Sequence, residues 1–189
     1  MNVEMSYPVA DKILSKYINT IGEDFTGYRN HVMRMLNYCH YLHENLDQAQ
    51  SEKLQIAAAF HDIALWTHKR VDYLVPSYNE CRAYLASNDQ ENIADEVQII
   101  IDMHHLIKTY HGPYEELTEV FRKADLVDFS GGLIKFGIAP SFIKTVKAAL
   151  PNAGFHKTLM RFTLIQLSRK PWDPLPMMRC KNLYNRSSN

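Results

Sequence analysis

Residues 54–66 read LQIAAAFHDIALW, and this stretch decides the fold that the sequence predicts. Its apolar residues recur at the spacing of one helix face, because positions i, i+3, i+4, i+7 and i+8 lie on the same side of an α-helix. That face runs from Leu54 through His61 and Asp62 to Leu65. The sequence therefore predicts a histidine and an aspartate on the side of a helix that faces the core.

The same helical periodicity extends over most of the chain, and no alternating pattern of β-branched residues indicates strands. We therefore expect an all-α protein, a compact single-domain helical bundle of about 7 to 8 helices. Ser51 and Ser77 are suitable N-cap residues for two of them. The predicted helices cover residues 8–20, 27–46, 51–65, 77–87, 90–108, 114–129, 139–149 and 154–168.

The charge balance excludes several classes of partner. Lys plus Arg and Asp plus Glu each number 21, so the formal net charge is zero. Proteins that bind long nucleic acid or an anionic membrane surface present a strong positive field, which a neutral chain lacks. No apolar run approaches the roughly 20 residues that span a bilayer, and the N-terminal residues lack a secretion-signal pattern. We expect a cytoplasmic protein whose partners are small molecules, with neither nucleic acid nor a membrane among them.

Polar side chains continue the apolar stripes of four predicted helices. An ionised carboxylate away from water is strongly disfavoured unless it is paired or bound to a cation, so this placement needs an explanation. His40, in contrast, lies about half a turn around the helix from His31 and is expected to face solvent. The inward polar residues are His31 with Arg34 beside it, His61 and Asp62, His104 and His105, and Asp125 and Asp128.

A divalent metal ion would stabilise these groups. Imidazole and carboxylate suit Mn, Fe, Co, Ni or Zn, and the absence of cysteine from the set argues against a purely structural zinc site. Any one of these residues alone is also compatible with a hydrogen-bonded core position. Asp125 and Asp128 have an alternative too, which is pairing with Arg34, Arg122 or Lys123. The joint placement on inward faces is what favours a metal site.

In these residues the chain resembles the HD-domain superfamily of metal-dependent phosphohydrolases. The matching elements are His31 in NHVMRML, the His61-Asp62 pair in AAAFHDIALW and Asp125 in RKADLVD, which together cover about residues 25–130. The resemblance implies that these four residues bind one divalent metal ion within a helical bundle. Members of the family mostly hydrolyse phosphomonoesters or phosphodiesters, often of nucleotides.

Two-metal members of the family add histidines between the His-Asp pair and the last aspartate. Here no histidine lies between His68 and His104, so one ion is expected and a complete second site is not. His104 and His105 are then expected to act on the substrate or to form a partial second site.

The expected reaction is hydrolysis of a small phosphoester through a metal-activated water, and the resemblance to the family implies a nucleotide as the substrate. Asp62 is the candidate to orient that water or accept its proton, and His104 or His105 is the candidate to protonate the leaving oxygen. An aromatic lining that includes Trp66 and Tyr73 would stack a base. Three basic residues on or beside the inward faces are predicted to hold the phosphate, although each is also compatible with a solvated helix position: Arg34, Lys108 and Arg122.

Other functions remain open. The same scaffold in some relatives holds two irons for oxygen-dependent cleavage, and in others it hydrates a small nitrile-like substrate. A third alternative is a metal-stabilised binding module without turnover. A homodimer also remains open, because 11 tyrosines and 8 methionines suit either an interface or a core.

One domain is expected, because 189 residues with 46% hydrophobic side chains are the size and composition of a single globular unit. Residues 1–24 are predicted to form an N-terminal helix packed on the core, and residues 25–130 the metal-binding core of the HD-domain type. Residues 131–170 are predicted to complete the domain with C-terminal helices. Residues 171–189, which contain several prolines, are predicted to form an extended tail.

Overall fold

The computed structural model describes residues 2–172, and within this range it contains helices and no strand. Eight of its helices have eight or more residues, and two further helices are single turns of four residues. The prediction of a compact all-α bundle is confirmed. The helices are α1 (Pro8–Ser15), α2 (Ile18–Ile21), α3 (Phe25–Leu42), α4 (Gln48–Phe60), α5 (Ala64–Thr67), α6 (Leu74–Ala86), α7 (Ala94–Met103), α8 (Glu115–Phe129), α9 (Pro140–Ala149) and α10 (Phe155–Arg169).

The core lies where α3 packs along α8 and α4 packs against α1 and α7. Tyr28, Leu36, Leu54 and Phe121 are fully buried there. Burying one such side chain stabilises the fold by about 1.5–3 kcal/mol, so these contacts fix the relative positions of the helices. The inward residues of α3, α4, α7 and α8 are thereby brought to one centre.

The helix predicted at residues 51–65 is interrupted. α4 begins after Asp47, whose carboxylate accepts a hydrogen bond from the Gln50 backbone amide at 2.7 Å, while the Gln50 side chain accepts from the Asp47 amide at 3.0 Å. This reciprocal capping box, and not Ser51, begins the helix. α4 ends at Phe60, and residues 61–63 form a turn before α5.

Two other predicted boundaries are wrong. α6 begins at Leu74, so Ser77 lies inside the helix, where its hydroxyl accepts a hydrogen bond from the Ala64 amide at 3.2 Å. α7 ends at Met103, and residues 104–105 therefore lie in a turn and not in the helix predicted at residues 90–108.

The N-terminal segment covers part of α3. The Asn37 side chain accepts a hydrogen bond from the Glu4 amide and donates one to the Glu4 carbonyl. Beside this contact the Tyr7 ring stacks on His40, with 5.6 Å between the ring centroids. His40 is therefore half-buried, and the prediction that it faces solvent is wrong.

The C-terminal helix α10 is the most exposed long helix of the described range, with only Phe155 and Thr158 buried. The predicted tail at 171–189 lies, beyond Trp172, outside the described residues. None of the described helices is long and apolar enough to cross a membrane.

Candidate metal centre

Six histidine and aspartate side chains from four segments meet in the core, and we call them the His/Asp cluster. They form three overlapping groups, and within each group the potential ligand atoms lie within 4.8 Å of one another. The structure thus brings together all four residues predicted as ligands, along with both histidines predicted on the substrate side. The groups are His31, His61 and Asp125; His61, Asp62 and His104; and His104, His105 and Asp125.

Neighbouring residues within each group have the separations of two ligands on one ion. The Nε2 atoms of His31 and His61 are 3.1 Å apart, and His31 Nε2 lies 3.6 Å from Asp125 Oδ1. Asp62 places its Oδ2 atom 3.4 Å from His61 Nε2 and its Oδ1 atom 3.7 Å from His104 Nε2. Ligand bonds of about 2.1 Å place the neighbouring ligands of a tetrahedral ion about 3.4 Å apart.

Three imidazoles direct a lone pair into the cluster. The Nδ1 atom of His61 is hydrogen-bonded to the Ala58 carbonyl at 2.8 Å, and that of His104 to the Ile101 carbonyl at 2.5 Å. Because a carbonyl oxygen only accepts, both Nδ1 atoms carry the proton and both Nε2 atoms present a lone pair. His31 has the same arrangement, since its Nδ1 atom lies 2.7 Å from a carboxylate oxygen of Asp128.

The cluster also contains two buried polar atoms without a hydrogen-bond partner among the described residues, Asp62 Oδ1 and His104 Nε2. Leaving such an atom unpaired costs about 1–3 kcal/mol. Both atoms are electron-pair donors, so a bound cation would satisfy them together. The donor set therefore fits a divalent metal ion.

The charges of the cluster lead to the same conclusion. Burial raises the pKa of Asp125 to about 7, with the neighbouring Asp62 adding to the effect and His104 opposing it. For Asp62 burial acts in the same direction, but His61 and His104 outweigh it and hold its pKa well below the ordinary value. Burial lowers the pKa of His31 to about 4, so this imidazole is neutral at physiological pH, as a metal ligand must be.

His31 is positioned by a buried ion pair. Asp128 accepts a hydrogen bond from His31 Nδ1–H with Oδ2 and also binds Arg34, whose Nε and Nη2 atoms donate at 2.5 and 2.7 Å. Burial alone would raise the pKa of Asp128, but the hydrogen bonds from Arg34 and His31 hold it well below its ordinary value. Arg34 also donates to the Leu150 carbonyl at 3.0 Å. The pairing of Asp128 with Arg34 is one of the alternatives left open by the sequence.

A second buried ion pair fastens the loop that follows α7. Arg122 donates through Nε and Nη2 to Glu119 at 2.5 and 2.8 Å, and through Nη1 to the Leu106 carbonyl at 3.0 Å. Glu119 also accepts from the Tyr110 amide at 2.7 Å. Lys108 is exposed in the same loop and forms no ion pair within the described range.

The role predicted for Arg34, Lys108 and Arg122 in holding phosphate stays a prediction. The two arginines are 2% and 1% exposed, and binding phosphate would require them to leave their carboxylates. Of these three residues, Lys108 alone is exposed and forms no ion pair within the described range, so its charge is free to meet a substrate.

The sequence did not predict the aromatic residues that contact the His/Asp cluster. The Tyr73 hydroxyl lies 2.5 Å from His105 Nε2, and burial lowers the pKa of His105 well below its ordinary value. Phe155, the first residue of α10, stacks on His31 at 4.1 Å between ring centroids. Both contacts join residues that are far apart in the chain. In the sequence alone, an aromatic residue beside a helix end is interpreted as an ordinary core residue. Tyr73 was predicted only as a residue that would stack a base.

The comparison with known families gives one match. The model of the HD domain family matches residues 28–129, which is more than half of the chain and contains the whole His/Asp cluster. No curated protein and no solved structure matches the chain.

Proposed function

The chain belongs to the HD domain family, and on that premise we propose that it is a metal-dependent hydrolase of a small phosphoester, with a nucleotide as the expected substrate. One observation carries this proposal. The lone pairs of three imidazoles and the oxygens of two carboxylates form overlapping buried groups, in which Asp62 Oδ1 and His104 Nε2 have no hydrogen-bond partner among the described residues.

The residues that would hold the ion are His31, His61, Asp62 and Asp125. Three of them form one group, and Asp62 belongs with His61 and His104 to the group that adjoins it. Mn, Fe, Co, Ni and Zn all suit this set. When bound, a divalent ion lowers the pKa of water from 15.7 towards about 7 and polarises a phosphoryl oxygen.

The protein's own groups would position the attacking water and contact the leaving oxygen. Asp62 Oδ1 has no partner among the described residues and is suited to accept a hydrogen bond from that water. His104 carries its ring proton on Nδ1, so its Nε2 atom, 3.7 Å from Asp62 Oδ1, presents a lone pair. This histidine is therefore better suited to bind the ion than to donate a proton. His105, in contact with the Tyr73 hydroxyl, has a pKa well below its ordinary value and is suited, as a neutral imidazole, to hydrogen-bond the leaving oxygen.

A small substrate fits the charge distribution better than a polymer. The formal net charge is zero, so long nucleic acid finds no general attraction. Lys108, exposed three residues after His105, is the cation suited to meet the phosphate. We therefore propose a small phosphorylated molecule as the partner, and neither long nucleic acid nor a membrane.

Phosphate release from a panel of nucleotides and other phosphoesters tests the proposal. The full chain is stripped of metal and reloaded with each of the five ions in turn. Release is expected with at least one ion, and it should be lost in His61→Ala and Asp62→Ala. The exposed His111 provides the control, because His111→Ala removes an imidazole outside the cluster. No release with any ion, or full activity in the two cluster variants, would contradict the proposal.

The two-iron oxygenase remains as a second candidate, and one observation favours it. Asp125 belongs to two ligand groups, which allows it to bridge two ions. Two irons per chain, oxygen consumption and no phosphate release would select this candidate over the hydrolase.

A further inference from the structure

A second cavity lies outside the His/Asp cluster, between α10, the end of α5 and the residues that precede α3. Its volume is about 540 Å³, within the range of small-molecule sites. No residue of the cluster lines it. The Tyr28 ring separates the two, since it lies 4.6 Å from the Trp66 ring in the cavity wall and 6.2 Å from the His61 ring.

The cavity is lined by more cations than free anions. Lys69, Arg161 and Arg169 line it together with two carboxylates, Glu23 and Asp24. Asp24 is already engaged, because Arg161 donates to it at 2.8 Å, as do the Thr158 hydroxyl at 2.7 Å and the Trp66 indole at 3.0 Å. Within residues 2–172, neither Lys69 nor Arg169 forms an ion pair. Glu23 is thus the single carboxylate lining this cavity that opposes two free cations.

Lys69 has a strained backbone. Its φ is +52°, in the left-handed region that side chains other than glycine rarely adopt. This conformation turns the chain at the end of α5 and places the lysine on the cavity wall. Strain of this kind persists where the surrounding structure imposes it, and such residues cluster at functional sites.

Two aromatic side chains also line the cavity. The rings of Trp66 and Phe162 meet edge to face, with 6.2 Å between centroids and an angle of 89°. The Arg161 guanidinium lies 5.5 Å from the centroid of the Phe162 ring, so cationic and aromatic groups adjoin. Trp66 is 5% exposed, while Phe162 is partly exposed and offers its ring to a ligand. An aromatic wall next to unpaired cations suits a flat aromatic ring that carries negative charge.

We propose that this cavity binds a nucleotide, with its phosphates at Lys69 and Arg169 and its base against Phe162 and Trp66. The site goes beyond the proposed hydrolysis, because it does not use the His/Asp cluster and needs no metal ion. Phosphate alone or a nucleoside alone would make only half of these contacts.

Trp66 supplies the signal for the test. The chain has two tryptophans, and Trp172→Phe leaves Trp66 as the only one. In this variant, treated with EDTA so that metal-dependent turnover is absent, titration with ADP is expected to change the fluorescence to saturation. Adenosine and pyrophosphate, which each lack one half of the ligand, are expected to bind at least tenfold more weakly.

A matched pair of variants locates the site. Lys69→Met with Arg169→Met removes the two free cations, and Arg82→Met with Lys144→Met removes the same charge from exposed positions elsewhere. The first pair is expected to weaken ADP binding at least tenfold and the second to leave it unchanged. The proposal is overturned if ADP gives no saturable signal, if both pairs bind it alike, or if pyrophosphate binds as tightly as ADP. Because metal is absent throughout, failure here leaves the proposed hydrolysis untouched.

Discussion

Two buried arginine-carboxylate pairs lie along α8, and they resemble each other closely at the arginine. Arg34 and Arg122 are each almost fully buried, and each donates two hydrogen bonds to one carboxylate and others to backbone carbonyls. They differ in what else the carboxylate accepts. Asp128 accepts from the imidazole of His31, whereas Glu119 accepts from the backbone amide of Tyr110 and also pairs with Lys123, whose Nζ atom lies 3.3 Å from Oε2.

A buried arginine therefore does not by itself indicate a substrate site. The function of each arginine-carboxylate pair depends on the further group that binds the carboxylate. Through Asp128 one pair orients a ligand of the His/Asp cluster, and hydrogen bonds of this kind fix the tautomer and basicity of a metal-binding histidine. Through Glu119 the other pair fixes the path of the loop after α7. Breaking either pair should destabilise the protein, but only one should alter metal binding.

Asp128→Asn should have the largest effect. It leaves the Arg34 charge buried without a counter-charge, which costs about 3–5 kcal/mol of unfolding free energy. It also removes the charged acceptor of His31, so the affinity for the metal ion should fall about 10–100-fold. Urea unfolding and metal titration measure the two effects. Metal affinity equal to wild type would show that Asp128 is only structural.

Glu119→Gln sharpens the comparison. The Arg122 charge loses its partner in the same way, so the unfolding free energy should again fall by about 3–5 kcal/mol. Metal affinity should stay within about twofold, because no cluster residue bonds this pair. The same two measurements apply, and a loss of affinity as large as in Asp128→Asn would remove the distinction between the pairs.

The Glu119 pair should also depend on pH. Burial would raise the pKa of Glu119, but the hydrogen bonds from Arg122 and Tyr110 outweigh it and lower the pKa to about 2. A depressed pKa in the folded state gives stability that is present above the unfolded value of 4.5 and is lost as the pH falls towards 2.

Urea unfolding of wild type and Glu119→Gln over this range checks that contribution. The difference in unfolding free energy between the two proteins should shrink as the pH falls below about 4.5. A difference that stays constant down to pH 2 would rule out an ionised Glu119 as its source.

Lys108→Met should have the smallest effect, because this is the exposed cation of the three predicted to hold phosphate. The unfolding free energy should change by less than about 0.5 kcal/mol. If Lys108 meets the substrate phosphate, KM should rise up to about fivefold, in keeping with a solvent-exposed ion pair, while kcat is kept. Lys144→Met is the matched control, and an equal KM in the two variants would exclude Lys108 from the site.

Helical phase predicted which residues meet in the His/Asp cluster because phase is a local property. His31 and Asp125 lie on inward faces of regular helices, as the spacing indicates, and they meet in the cluster. His61 and Asp62 also reach it, although the helix ends at Phe60 and no glycine or proline marks the turn that follows. Because the apolar periodicity continues across that turn, the sequence did not predict the end of α4.

Phase gives the side of a helix but not the partner on that side. Arg34 and Arg122 lie near the inward faces as expected, but their partners are a carboxylate on another helix in one case and one on their own helix in the other. His40 is half-buried because the N-terminal segment, remote in sequence, covers it. The contact of Phe155 with His31 is unpredictable for the same reason.

Metal content tests the central claim most directly, which is that the His/Asp cluster binds a divalent ion. The full chain is stripped with a chelator, reloaded with Zn²⁺ or Mn²⁺ and freed of unbound metal. Its metal content per chain is then measured by elemental mass spectrometry. At least one ion per chain is predicted for wild type and for His111→Ala, and a clear loss for His61→Ala and Asp125→Ala. A wild-type chain that retains no metal, or equal metal in all four proteins, would contradict the claim.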